Sequence, residues 1–312
     1  MRIARLASEN PRTQGPERRA WYRRHSPEHL RMVAGLVEQA VAARTGGAEP
    51  RAVVLGAGAC TELPLEWLAR RSGSVLLVDI DVPGMLRARD ALPDALRARV
   101  NVVAADLTGG VSVALAAELR VQPWADLARL GDNAPLDAAA ACLARCQVLD
   151  PPPIPELQPA GYDLVISSLT LTQLFSLPLL DVLDVLCVHA PAAVDLRETH
   201  TRYRAAAEGF RRRVALAHLS LLGALLAPGA AGVLVSDVTG HLLPPVAGAH
   251  AAAPVDSLPV LPPEVLDLSA DVAARFTPLG TPRTWRWLVS RAEGQQPGRA
   301  YDVAGVVLRG AD

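Results

Sequence analysis

Three acid-and-glycine positions carry the chemistry this 312-residue sequence offers most plainly. The first is Val53-Val54-Leu55-Gly56-Ala57-Gly58, an apolar run that ends in glycines. Glycines at a strand-to-helix turn let backbone approach a ligand closely, and a following helix offers unpaired N–H groups. The second is Asp79-Ile80-Asp81, closing the next apolar run, Ser74–Val78. A carboxylate there can accept hydrogen bonds from both hydroxyls of a ribose. The third is Asp106-Leu107, just beyond the run Val100–Ala104. A carboxylate or neighbouring backbone there can reach the amino group of an adenine. Each feature has a plain structural alternative: a shaped turn for the glycines, helix caps for Asp79, Asp81 and Asp106. Their order on three successive strand ends favours an adenosine site, because open parallel sheets bind ligands at the carboxyl ends of their strands.

The elements that must position these residues alternate. A helical pattern over Pro16–Ala43 precedes them, with Leu30, Val33, Leu36, Val37 and Val41 at helix spacing. Helices are expected over Thr61–Arg71 and Pro83–Arg99, between strands that are apolar throughout. That alternation indicates a parallel sheet covered on both faces. The stretch 109–160 reads as an insertion with one or two helical pieces and the proline run Asp150–Pro155. The pattern resumes with a fourth strand, Tyr162–Ser167, a helix over Leu179–His189, and a long helix from about Asp195 to Leu226. Pro228-Gly229 then precedes a fifth strand, Gly232–Asp237. Residues 240–270 read as a Pro-rich loop and lid. Thr284–Ser290 and Tyr301–Leu308 form an expected closing antiparallel pair with a turn near Gly294–Gly298. The expected organisation is an N-terminal helical extension or lid over 1–50, opening with a loose polar leader, and a single α/β domain over 51–312.

These segments resemble the class I methyltransferases, which use S-adenosylmethionine. Val53–Cys60 resembles their glycine motif, Leu76–Asp81 their ribose-binding strand end, and Val102–Leu107 their adenine-side segment. Tyr162–Leu169 resembles the fourth strand, which passes under the methionine part, and Leu225–Asp237 the helix end and fifth strand. The chain departs from the pattern at Val54, where the family often carries an acid, and at Cys60, where a third small residue is usual. The resemblance implies a Rossmann-like, mostly parallel seven-stranded sheet with helices on both faces. It implies S-adenosylmethionine contacts from Gly56, Ala57, Gly58, Asp79, Ile80, Asp81, Asp106, Leu107, Ser167 and Ser168.

On the acceptor side, Thr170 and Gln173 follow the fourth strand, where they point to a substrate pocket or cap the next helix. Enzymes that methylate nucleic-acid bases carry an Asn/Asp-Pro-Pro-aromatic segment there, and Ser167-Ser168-Leu169-Thr170 is not one. Tyr22 and His25 would sit on the N-terminal lid. Seven histidines are available. His241, just past the fifth strand, is the candidate general base, and His218, in an apolar helix, reads as core. Methyl transfer from a sulfonium is an in-line displacement needing alignment rather than a metal, and no metal site is expected. Cys142 and Cys146 read as packed small residues.

The formal net charge of −1 gives no global pull toward nucleic acid or an anionic membrane. No secretory signal is visible, and the apolar stretch Val214–Val235 is broken by His218 and Pro228-Gly229. A small-molecule acceptor and a cytoplasmic setting are expected, with no nucleic-acid or membrane partner, and no pattern sets an oligomeric state. The alternatives are an aminopropyl transferase, a nicotinamide-dependent enzyme, or a non-catalytic protein on the same scaffold.

Overall fold

A computed structural model describes residues 16–45, 48–244, 256–292 and 297–310. In chain order the elements begin with helices α1 (Pro16–His25) and α2 (Pro27–Ala43), then β1 (Arg51–Leu55), α3 (Leu65–Arg71) and β2 (Ser74–Asp79). Next come α4 (Val82–Asp90), α5 (Asp94–Arg97), β3 (Val100–Ala104), α6 (Val111–Arg120), α7 (Trp124–Arg129) and α8 (Asn133–Arg145). The second half holds β4 (Tyr162–Ser168), α9 (Leu171–His189), α10 (Pro191–Leu196), α11 (Thr201–Leu225) and β5 (Leu226–Leu243). It closes with β6 (Asp256–Pro259), α12 (Ala270–Ala273), β7 (Phe276–Pro278), β8 (Arg283–Ser290) and β9 (Gly298–Gly310).

The strands form one sheet in the order β3-β2-β1-β4-β5-β9-β7, with β6 on β5 and β8 on β9. β1 to β5 run parallel to one another, and β9 runs antiparallel beside β5. A mostly parallel sheet with helices on both faces and antiparallel strands from the C-terminal segment is the Rossmann-like fold that the resemblance implies. Seven strands lie in continuous order, and β6 and β8 bring the sheet to nine. The expected C-terminal pair is β8 against β9, in register Trp285↔Val303 and Trp287↔Tyr301.

Successive strand side chains point to opposite faces, and here both faces are covered. Val53, Leu55, Val78, Val165 and Leu234 pack under α6, α8, α9 and α11. Val54, Leu77, Ile166 and Val233 pack under α1 to α5 with Tyr22, Leu36 and Leu68. The 109–160 stretch contributes to the first of these layers through Leu115, Leu119, Leu136 and Leu143. It holds three helices, and the crossover from β3 to β4 passes through them.

Several helices differ from their expected spans for local reasons. The N-terminal pattern breaks at Ser26, whose hydroxyl donates to the Leu288 carbonyl (2.7 Å), and Pro27 starts α2. Residues 61–64 form a turn, and Pro64 precedes α3. Pro93 separates α4 from α5, since proline lacks the N–H that would continue the helix. α9 starts at Leu171 rather than Leu179 and runs through Pro178, because Leu171, Phe175, Pro178, Val182 and Leu186 bury one continuous stripe. Residues 195–226 divide into α10 and α11 at His200, whose Nδ1 accepts from the Tyr203 N–H (3.2 Å). Pro228-Gly229 lies inside β5. Of the 240–270 loop, residues 240–243 and 256–259 pair as strands, and 245–255 lie outside the described residues. So do the 1–15 leader, most of the 294–298 turn and His250.

Candidate functional site

At the carboxyl ends of β1, β2 and β3 a cavity of about 200 Å³ opens. Its walls include Gly56, Asp79, Ile80, Asp106, Leu107 and Thr108 from the three strand ends, and Thr170, Gln173, Leu174 and Leu177 from the start of α9. Five of the ten predicted cofactor residues meet here, along with two of the four predicted substrate-side residues, Thr170 and Gln173.

The glycine turn is fixed by hydrogen bonds from its own backbone. Gly56 N–H and Ala57 N–H both donate to the Val78 carbonyl (2.8 and 3.1 Å). Gly56, Gly58 and Cys60 all adopt positive φ (+69°, +45° and +50°). A Cβ on Gly56 would meet the Thr170 side chain, with Oγ1 at 1.9 Å, so this position requires glycine for both backbone and space. Thr170 lies over the turn and donates to the Leu55 carbonyl (3.1 Å), joining α9 to the end of β1. Cys60 is buried, and burial pushes its thiol up to about 12, so it is an inert filler of the turn.

Asp79 faces the same turn. Its Oδ2 accepts from the Gly58 N–H and its Oδ1 from the Asp81 N–H, each at 2.8 Å. Burial raises its carboxyl above the usual range, and backbone bonds from Asp81, Gly58 and Ile80 pull the other way. A carboxylate offers about four lone-pair sites, so Asp79 keeps room to accept from an incoming hydroxyl. Ile80 next to it is 58% exposed and lines the cavity, while Leu107 opposite is buried. An apolar side chain left open beside a hydrogen-bonding carboxylate suits a flat base attached to a ribose.

Asp81 and Asp106 also act as caps. Asp81 Oδ1 accepts from the Gly84 N–H (3.0 Å) at the start of α4. Asp106 Oδ1 accepts from the Thr108 N–H and hydroxyl (2.8 and 2.7 Å), and Oδ2 from the Gly110 N–H (3.1 Å). Asp106 nonetheless remains on the cavity wall.

The two serines ending β4 diverge. Ser167 is fully buried on the α11 side, with its hydroxyl 2.8 Å from His218 Nε2. His218 is a core residue as expected, and burial holds its imidazole down at about 4. The Ser168 hydroxyl is buried at the end of β4 and has no hydrogen-bond partner. That orphan is a position a bound ligand's polar atom would satisfy.

The remaining candidates lie apart. Tyr22 is fully buried, packed with Trp287 (5.8 Å between ring centroids) and His29. His25 stacks on Trp21 (4.5 Å) and bonds the Trp21 carbonyl through Nδ1 (3.0 Å). α1 does reach the glycine-turn region, where Arg19 donates to the Leu63 carbonyl. His241 Nε2 lies 2.7 Å from Asp302 Oδ2, and Arg286 holds the other oxygen of Asp302 (2.6 Å). Val235 is level with Ser168 in the sheet, so His241 stands six residues, about 20 Å, further along β5. Sequence reasoning passed over Asp237, a half-buried carboxylate that accepts from the Thr172 hydroxyl in the first turn of α9. Its place at the end of the fifth strand as expected from sequence, Gly232–Asp237, was the available signal.

A larger open groove of about 850 Å³, between α6, α7 and α9, contains none of these residues. Among the described residues, no group of three or more His, Cys, Asp or Glu could hold a metal ion. α9 is long and apolar enough to cross a membrane, and here it packs against α6, α11 and β5.

No family model and no curated protein matches the chain. Solved structures similar to it include an S-adenosylmethionine-dependent methyltransferase from Aquifex aeolicus (13% identity, 84% of each chain, TM-score 0.34). A predicted O-methyltransferase from Agrobacterium tumefaciens shares 16% identity over 86% of this chain and 79% of that one (TM-score 0.29). A structure of the Haloferax volcanii Trm112 methyltransferase activator in complex shares 11% identity over 70% of this chain (TM-score 0.31), and this chain spans only 59% of that one. These scores are low, and the fold stands on the chain's own strand order.

Proposed function

We propose that the chain binds S-adenosylmethionine in the strand-end cavity and transfers its methyl group to a small-molecule acceptor. The observation that carries this reading is that exposed Ile80, Asp79, Asp106 and Leu107, from two neighbouring strand ends, line one cavity. Ile80 and Leu107 would flank the adenine, and the open lone pairs of Asp79 would receive the ribose hydroxyls. Asp106 or the backbone beside it would meet the adenine amino group. The methionine part would run toward Gly56 and the orphan hydroxyl of Ser168. When bound, the sulfonium supplies an activated methyl group. The protein's task is then alignment and exclusion of water, which can contribute several kcal/mol.

A dinucleotide reading fits less well. A pyrophosphate is held at the N-terminus of the helix directly behind the glycine turn. Here a turn over residues 61–64 separates Gly58 from α3, and that helix has only seven residues.

The test is calorimetric titration with S-adenosylmethionine, S-adenosylhomocysteine and NADH. Binding of the first two in the micromolar range, lost by at least about tenfold in Asp79→Ala, supports the reading, since a hydrogen bond to a charged group is worth about 1.5–3 kcal/mol. Binding of NADH alone would transfer the site to nicotinamide chemistry.

A further inference from the structure

Resting on the S-adenosylmethionine reading, we infer that Asp237 is the acceptor-side carboxylate and that the acceptor it receives is a small amine. Asp237 stands two residues past Val235, which is level with the end of β4, so it lies about 7 Å beyond the end of that strand, opposite Val303 of β9. Its Oδ1 accepts from the Thr172 hydroxyl. Thr172 belongs to the same turn of α9 whose neighbours Thr170 and Gln173 line the cavity. The turn before it is tied to β5 by the Leu169 N–H, which donates to the Val235 carbonyl (2.8 Å). Asp237 is thereby held against the first turn of α9, the turn that also borders the cavity.

Its electrostatic setting indicates what it holds. The same strand pair carries two carboxylates, Asp237 on β5 and Asp302 on β9. Asp302 is neutralised by His241 and Arg286. Asp237 has no cationic partner among the described residues, and the titratable group acting with it is Tyr301 of β9. Burial raises the Asp237 carboxyl, with the Thr172 bond only partly offsetting it. For Asp302 burial is outweighed by the bonds from His241 and Arg286, which keep it below the usual range. A half-buried carboxylate bonded to one neutral hydroxyl favours a cationic ligand that completes the pair. His241, about 13 Å further along the strand, is already committed to Asp302.

An amine entering as its ammonium form pairs with Asp237 and passes one N–H proton to the carboxylate, from which it reaches solvent. The nitrogen lone pair then forms the N–CH3 bond as the S–CH3 bond breaks. That bond's electron pair returns to sulfur, and the sulfonium donor leaves as the neutral thioether, S-adenosylhomocysteine.

The experiment uses the full chain with S-adenosylmethionine and two pools, one of small primary and secondary amines, the other of matched alcohols and carboxylic acids. S-adenosylhomocysteine formation is read in the wild type, Asp237→Asn and Thr172→Val, with calorimetric affinity for S-adenosylhomocysteine measured in parallel. The expected result is turnover from the amine pool alone. Asp237→Asn should lower kcat/KM by about 100-fold, a usual size for lost proton transfer, and leave that affinity within about twofold. Thr172→Val should move the acidic limb of the kcat/KM pH profile, which a merely structural role would not do. Asn keeps an acceptor for the Thr172 hydroxyl, and if it fails to fold by thermal denaturation, Thr172→Val decides. Turnover from the alcohol and acid pool overturns the inference. So does amine turnover unchanged in Asp237→Asn, or no amine turnover by a wild type that binds S-adenosylhomocysteine. A wild type that does not bind S-adenosylhomocysteine would instead sink the parent reading.

Discussion

Gly56→Ala isolates the contact on which the glycine turn depends. Gly56 has φ +69°, and a Cβ there would lie 1.9 Å from Thr170 Oγ1, 2.4 Å from Cγ2 and 2.7 Å from Cβ. Alanine in that left-handed conformation costs about 1–2 kcal/mol. Forcing Thr170 aside adds an overpacking cost of about 1–3 kcal/mol. Displacing its hydroxyl from the Leu55 and Ser168 carbonyls (3.1 and 3.2 Å) removes about 1 kcal/mol more. Urea denaturation should therefore show Gly56→Ala destabilised by about 3–6 kcal/mol. Thr170→Gly alone should cost about 1–2 kcal/mol, since glycine remains an acceptable N-cap. In Gly56→Ala/Thr170→Gly the overpacking term disappears, so the double variant should be more stable than the sum of the singles by at least about 1 kcal/mol. A Gly56→Ala variant within about 0.5 kcal/mol of wild type would refute the geometry, as would strict additivity in the cycle.

Three further predictions follow from the same residues. Ile80→Ser, on a side chain already 58% exposed, should leave stability within about 0.5 kcal/mol. It should weaken S-adenosylhomocysteine binding by about tenfold, the loss of roughly 1–2 kcal/mol of apolar contact on the base; unchanged affinity by calorimetry would remove Ile80 from the ligand's surroundings. Asp106→Ala should cost about 1–2 kcal/mol through the bonds lost at the start of α6, and weaken ligand binding as well, whereas a pure cap would show only the stability loss. His29 is fully buried, stacks on Trp287 (4.7 Å) and accepts from Trp285 Nε1 (2.9 Å). Burial holds its imidazole down at about 3, from an ordinary 6.5. The folded state thus binds the proton more weakly than the unfolded chain. This contribution to stability is complete above about pH 6.5 and is lost as pH falls toward 3, by about 1.4 kcal/mol per pH unit within that window. Denaturant titrations across pH should show that slope reduced in His29→Gln, and an unreduced slope would contradict the assignment.

The sequence disclosed the sheet more fully than the helices. Apolar runs such as Val53–Leu55 and Leu76–Val78, alternating with helical stretches, read as strands covered on both faces, and they form β1 and β2 with ends within a residue of those expected. Helix limits depended on tertiary partners invisible in one dimension. Pro178 sits inside α9 because the stripe from Leu171 to Leu186 faces the core, and Ser26 interrupts the N-terminal helix because its hydroxyl reaches Leu288, far away in the chain. Gly56, Asp79, Ile80, Asp106 and Leu107 were legible as neighbours around one cavity because parallel strands bring their carboxyl ends together. Ser167 and Ser168 were not separable, since which of two adjacent β4 residues faces His218 is set by the pleat and by α11. Tyr22 and His241 were drawn by residue type and by their places on the N-terminal helix and just past the expected fifth strand. Packing against Trp287 and pairing with Asp302 claim them, and neither partner neighbours them in sequence.

The most direct test of the central claim is a crystal structure grown with millimolar S-adenosylhomocysteine. The account predicts ligand at the ends of β1 to β3, with its adenine between Ile80 and Leu107, its ribose hydroxyls on Asp79 and a polar group on the Ser168 hydroxyl. An empty strand-end cavity, or ligand bound elsewhere such as the groove between α6, α7 and α9, would contradict it.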